Sequence, residues 1–179
     1  MSSLKVHTLQ SIVTSAALYP VIGANVLPFG LAVIFIDLDH IVEYVRDTRS
    51  LDVHGVFSYS KLIEINLDKN YLVLSAFHTV EFFALVYVLS LFYPFCIYVL
   101  AGLAYHMLFD FAHLLRFRQF FCRAIFLAEY FYRKKYTRSL TSIYQILPLE
   151  DLKTAGIPHI EAWRVKWLAS RYGKPADNV

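Results

Sequence analysis

The sequence predicts an all-α fold: a polytopic membrane helix bundle of about four transmembrane helices with an interfacial helix beside them. Three observations point there. Of the 179 residues, 58% are hydrophobic and 17% charged, and the mean hydropathy is +0.48, too apolar for a soluble domain of this size to stay dispersed. The apolar residues gather in stretches of about 20, the length a helix needs to cross the hydrocarbon. Phe (15) and Tyr (13) are abundant, and Tyr suits a membrane–water boundary, where its ring is apolar and its hydroxyl stays wet.

Taken in order, the spans are about Leu9 to Val26, Pro28 to Val45, Tyr71 to Phe92 and Pro94 to Leu115. Pro28 and Pro94 suit the first turn of a new helix, where the missing N–H costs nothing. The intervening turns are short, so each pair is an antiparallel hairpin. The first span is read as retained, because a second apolar segment follows it at once and no small-residue cleavage site is evident. Between the hairpins lies a polar loop, Arg46 to Asn70. After Leu115, the segment Phe117 to Tyr132 is aromatic and apolar but interrupted by Arg118, Arg123 and Glu129, as expected of an amphipathic helix lying in the interface. Residues 1–138 thus form the membrane-embedded part, ending in the basic cluster Arg133, Lys134, Lys135 and Arg138, and residues 139–179 a cytoplasmic tail. Within that tail, Ile160 to Tyr172 reads as a short amphipathic helix carrying Trp163 and Trp167, which pack or anchor at a membrane surface.

Lys and Arg crowd after the fourth span and in the central loop, and the two short turns carry none. The positive-inside rule therefore puts both termini and the loop in the cytoplasm, and the protein in the inner membrane if the cell is bacterial. Cys96 and Cys122 form no CxxC, so they read as packing residues and give neither a disulfide nor a thiolate metal site.

Ionisable side chains inside spans cost about 2.5–3.5 kcal/mol each on insertion scales, yet they cluster here. The second span holds Asp37, Asp39, His40 and Glu43, the third His78 and Glu81, and the fourth His106, Asp110 and His113. His106, Asp110 and His113 follow one another at i, i+4 and i+7, one helical stripe. His78 and Glu81, and Asp37 and His40, are spaced i, i+3; Asp39 shares a stripe with Glu43 rather than with Asp37. All nine residues fall toward the ends assigned to the cytoplasm, at one depth. The set predicts a metal centre built from imidazole and carboxylate without thiolate. That chemistry suits a divalent ion, zinc, iron or manganese, among which ligand type alone does not choose, and it supplies enough ligands for two or more ions. His7, His54 and His159 read as solvated loop histidines.

The order Asp37-x-Asp39-His40, then His78-Thr79, then His106-x-x-x-Asp110 resembles the membrane-bound metal-dependent hydrolases of the YdjM type. That family is similar, in its helical metal motifs, to the zinc-dependent phospholipase C and P1 nuclease group. The resemblance spans roughly Phe29 to His113. It implies a helical bundle with two or three zinc ions and hydrolysis of phosphoesters or phosphodiesters. Two departures stand out: Phe35-Ile36 replaces the usual Leu-Pro, and the His-Arg-Gly before the second histidine is missing.

The function expected first is an integral membrane metal-dependent hydrolase acting on a phosphoester of a lipid or lipid-linked substrate. Glu81, or a carboxylate of the Asp37/Asp39 pair, would serve as general base. Arg116, Arg118 and Arg123 would hold the phosphate. No nucleic-acid partner is expected. Two alternatives stay open. The His-x-x-Glu pairs, His40/Glu43 and His78/Glu81, suit a di-iron oxidoreductase of the desaturase or hydroxylase kind. A non-enzymatic membrane subunit with a structural metal is the other.

Overall fold

A computed structural model describes residues 4–65, 72–117, 123–137 and 140–145. Among these residues it is helical, with one isolated parallel bridge between Val73 and Arg123 and no strand. The helices are α1 (Leu4–Ile22), α2 (Val26–Phe35), α3 (Leu38–Thr48), α4 (Val53–Ile65), α5 (Val80–Ser90), α6 (Cys96–Phe117) and α7 (Leu127–Tyr136). They form two compact units. The first contains residues 4–39, 75–117 and 125–127; the second contains 40–65, 72–74, 123–124, 128–137 and 140–145.

In the first unit the expected hairpin at Asn25–Pro28 is present, set slightly earlier. The chain turns through a single 3-10 turn, Gly23–Asn25, entered by Gly23 at φ 57°, a left-handed value that glycine alone adopts without strain. α1 and α2 then pack together, with the Ser11 hydroxyl donating to the Gly30 carbonyl at 2.8 Å. α6 packs against α2 and also meets α1, where the Thr14 and Tyr105 hydroxyls lie 2.7 Å apart. Gly102 is the point of closest approach: a Cβ there would collide with the Phe29 carbonyl oxygen and lie 3.0 Å from the Ala32 Cβ. Small residues that let backbones approach are the usual means of helix packing in lipid. Ala32, Ile36, Val86 and Leu103 form the buried core, with Phe77, Phe82 and Met107 packed on it.

Two helical stretches are long and apolar enough to cross a membrane, His7–Thr48 (folded back at Gly23–Asn25) and Cys96–Arg116; Val80–Ser90 is apolar but shorter. The expected third span, Tyr71 to Phe92, is therefore not one helix. A 3-10 turn at Ala76–His78 precedes α5, and Thr79 in extended conformation caps it, its Oγ1 accepting the Phe82 N–H at 3.4 Å. The cap starts the helix at Val80 and leaves the preceding residues outside it.

The second unit corrects two further expectations. The polar loop Arg46 to Asn70 contains α4, which buries Tyr59 and Ile63. Asp47, fully buried, organises this unit: its Oδ1 accepts Arg46 Nε–H, and its Oδ2 accepts the hydroxyls of Tyr59 and Ser142, each at 2.8 Å. The expected interfacial helix over Phe117 to Tyr132 is also not one element. α6 runs through Phe117, Arg123 pairs with Val73 in the isolated bridge, and α7 begins only at Leu127. Tyr130 of α7 packs with Leu72 and Ala124 in a small core. The expected tail helix with Trp163 and Trp167, and His159, lie outside the described residues.

Candidate metal centre

Four of the sequence-predicted residues come together in the first unit. Asp37, His78, His106 and Asp110 each offer one donor atom, and these atoms all lie within 4.8 Å of one another. Asp37 occupies the turn between α2 and α3. His78 ends the 3-10 turn before α5. His106 and Asp110 sit one turn apart on α6, as their i, i+4 spacing requires. His106 Nε2 is 3.5 Å from both Asp37 Oδ1 and Asp110 Oδ2. His78 Nε2 is 3.9 Å from Asp37 Oδ1 and 3.6 Å from Asp110 Oδ2. His78, His106 and Asp110 are buried, and Asp37 is the most open of the four at 11% side-chain exposure.

Both imidazoles are held by their other nitrogen. His106 Nδ1 lies 2.8 Å from the Val33 carbonyl oxygen. A carbonyl only accepts, so Nδ1 carries a proton, and Nε2 is the nitrogen that faces the carboxylates. Val33 is in the last turn of α2, where carbonyls lack intrahelical partners. The crossing at Gly102 and Phe29 makes this bond possible, because His106 and Val33 lie one turn further along the same two helices. His78 Nδ1 is 2.9 Å from Asp39 Oδ2, and the same carboxylate accepts the Phe77 N–H at 3.1 Å. Asp39 thus fixes both the 3-10 turn and its histidine. Carboxylate or carbonyl on the distal nitrogen of an imidazole is the usual way proteins orient metal-binding histidines.

The remaining predicted residues are placed elsewhere. Glu81 is exposed in the first turn of α5, where its carboxylate accepts the Leu127 N–H at 3.0 Å. It does not share a face with His78, because the Thr79 cap separates turn from helix. Glu43 is buried in the second unit and accepts the Leu74 N–H at 3.1 Å. His40 also belongs to the second unit, and His113 is half-buried further along α6; neither is among the clustered donors. Of the three arginines expected to hold phosphate, Arg116 is exposed, Arg123 is buried in the second unit, and Arg118 lies outside the described residues.

One residue at the cluster corrects the sequence reading. His7 is not a solvated loop histidine: α1 begins at Leu4, and His7 is 1% exposed. Its ring stacks on that of His106 with centroids 4.1 Å apart. Its Nε2 lies 3.6 Å from Asp110 Oδ1 and 3.9 Å from Asp37 Oδ2, the carboxylate oxygens turned away from His78 and His106. The stripe His7, Ser11, Ser15, spaced i+4 along α1, was the signal available. His54 is exposed, as its sequence reading has it.

No protein-family model, no curated protein and no solved structure matches this chain.

Proposed function

We propose that this chain is an integral membrane protein whose Asp37, His78, His106 and Asp110 hold a divalent metal, zinc by preference, and that it hydrolyses a phosphoester of a lipid or lipid-linked substrate. The donor spacing carries the reading. The four nitrogen–oxygen separations, 3.5, 3.5, 3.6 and 3.9 Å, exceed direct hydrogen bonds. They approach the edge of a tetrahedron with ~2.1 Å ligand bonds, about 3.4 Å. Charge fits as well: two carboxylates and two neutral imidazoles carry −2, which one divalent ion cancels. Without such an ion, two carboxylates buried side by side would be costly. The outward oxygens of Asp37 and Asp110, together with His7, offer a position for a second ion.

A divalent ion held there supplies Lewis acidity and makes water nucleophilic near neutral pH. The chain's own groups do the rest. Asp39 holds His78, and the Val33 carbonyl holds His106, so the donors need no rearrangement to bind. Asp37, the most open carboxylate, is the one placed to take a proton from water. Glu81, bonded to a backbone amide, is not. The apolar outer faces of α1, α2 and α6, with exposed Leu9, Val21, Leu27, Leu31 and Leu108, support burial of these helices in lipid and hence a lipid or lipid-linked substrate. The resemblance to the membrane-bound metal-dependent hydrolases points the same way.

The test is elemental analysis of detergent-purified protein, followed by separate loading of apo-protein with zinc and with ferrous iron. Phosphodiester cleavage and oxygen uptake are then assayed. The proposal expects bound zinc, lost in the His106→Ala/Asp110→Ala double variant with membrane insertion retained, and cleavage under zinc. Full metal occupancy in the double variant would overturn the metal site. Bound metal with neither activity would leave the site and remove the hydrolase.

A further inference from the structure

The outer face of α7 is an unexplained surface, independent of the metal centre. Ala128, Phe131, Tyr132, Lys135 and Tyr136 follow one another at i, i+3, i+4, i+7 and i+8, a single stripe of the helix, and all five are exposed. Phe131, Tyr132 and Tyr136 are each more than 60% exposed. The helix is anchored by its opposite side, where Tyr130 is buried against Leu72 and Ala124. Its charges are sorted. Arg133 is paired with Glu129 at 3.3 Å, so these two cancel. Lys135, within the stripe, is exposed, its Nζ 4.9 Å from the centre of the Tyr136 ring; Lys134 lies on the anchored side, its Nζ 5.8 Å from the centre of the Tyr130 ring. Both lysines lie in the last turn, where the helix dipole favours them.

We infer that this face docks on a bilayer rich in anionic lipid, with Phe131, Tyr132 and Tyr136 at headgroup depth and Lys135 on a lipid phosphate. An amphipathic helix with aromatic residues on one side and lysines at its border is the form such contacts take. The rings offer an apolar body, and the two tyrosines a wet hydroxyl. Charge complementarity selects the lipid: each lysine near an anionic surface shifts the docking equilibrium by roughly fivefold. A nucleic-acid surface fits less well. Strand-binding surfaces track the phosphate backbone with a positively charged groove, whereas here one lysine sits at one end of a stripe that includes Phe131.

The experiment uses the full chain reconstituted in bilayer discs, of phosphatidylcholine alone or with phosphatidylglycerol. Cys96 and Cys122 are changed to Ser, and Tyr132→Cys carries an environment-sensitive fluorophore. Expected is a blue-shifted emission in the anionic discs, quenched more by lipids spin-labelled near the headgroup than by those labelled deep in the chain. Adding Lys135→Gln should lower the docked fraction, its ratio falling by roughly fivefold. A water-like emission in both lipids would overturn the proposal, as would a shift produced by single-stranded RNA and not by lipid. If the cysteine-free background does not fold, hydrogen exchange on the native chain decides. Slower exchange over 127–136 in anionic than in zwitterionic discs supports docking, and equal exchange refutes it.

Discussion

Gly102→Ala tests whether the metal centre is built by helix approach. Its added methyl would lie 3.0 Å from the Ala32 Cβ and collide with the Phe29 carbonyl oxygen. Restoring an ordinary carbon–carbon contact of about 3.7 Å requires α6 and α2 to separate by roughly 0.7 Å. The obstacles are backbone and a Cβ, with no rotamer to turn aside. The same separation one turn further on would stretch the His106 Nδ1 to Val33 oxygen bond from 2.8 Å to about 3.5 Å, beyond useful hydrogen bonding. His106 would then lose the contact that fixes its tautomer and aim. The expected result is a fall in zinc affinity of roughly 10–100-fold, the usual cost of removing an orienting partner, and a stability loss of about 1–3 kcal/mol from overpacking. A competitive chelator titration in detergent measures the first, and far-ultraviolet circular dichroism checks that the helices remain. Retained helicity with unchanged affinity would refute the argument, because the crossing would then not position the ligand.

Three further outcomes follow from other parts of the molecule. Asp39→Asn should weaken zinc binding by about 10–100-fold without abolishing it; complete loss by elemental analysis would make Asp39 a ligand rather than an orienting group. Asp47→Ala leaves the buried hydroxyls of Tyr59 and Ser142 without this acceptor and removes one partner of the Arg46 guanidinium, which keeps the Thr141 carbonyl. It should destabilise the second unit by about 3–5 kcal/mol, read as a lowered denaturation midpoint with metal stoichiometry preserved. His54→Cys, at an exposed position at the start of α4, should react with a membrane-impermeant maleimide only after the cell is opened, if the positive-inside assignment holds; labelling of intact cells would reverse the topology.

The legible part of the site was what periodicity alone controls. His106 and Asp110 are one turn apart on an uninterrupted helix, so their common direction needs nothing but the 3.6 repeat. His78 was legible as a residue but not as a geometry. Reading it as helical paired it with Glu81, whereas the local chemistry of Thr79, a capping residue, ends the regular helix in front of it. His7 was missed because the first helix was begun at its first long apolar run. The helix starts earlier, and the polar stripe His7, Ser11, Ser15 marks the face turned toward α2. The loop that proved to contain α4 was read by its charges, although Val56, Tyr59 and Ile63 recur at helical spacing within it.

What spacing cannot supply is the identity of the opposing group, and here that decides which acids belong to the metal centre. Five carboxylates sat in the predicted spans with similar periodic credentials. Glu43, Glu81 and Asp39 each face a backbone N–H, of Leu74, Leu127 and Phe77 respectively. A carboxylate that accepts an amide proton replaces part of its lost hydration, so it stabilises a turn or a helix start; Glu43 has in addition the Arg46 guanidinium at 4.0 Å, and Asp39 the His78 ring at 2.9 Å. Asp37 and Asp110 instead face imidazole nitrogens at separations too long for good hydrogen bonds. Their negative charge is compensated by protonated histidines or by a bound ion. The Nδ1 bond of His106 to a carbonyl, and that of His78 to Asp39, leave each Nε2 directed inward, as a metal-binding imidazole requires. The two His-x-x-Glu pairs, alike in sequence, therefore lose their common meaning once their partners are known. In each, the glutamate supports a backbone amide. The histidine of the second pair enters the cluster only because Asp39, from another helix, holds it there.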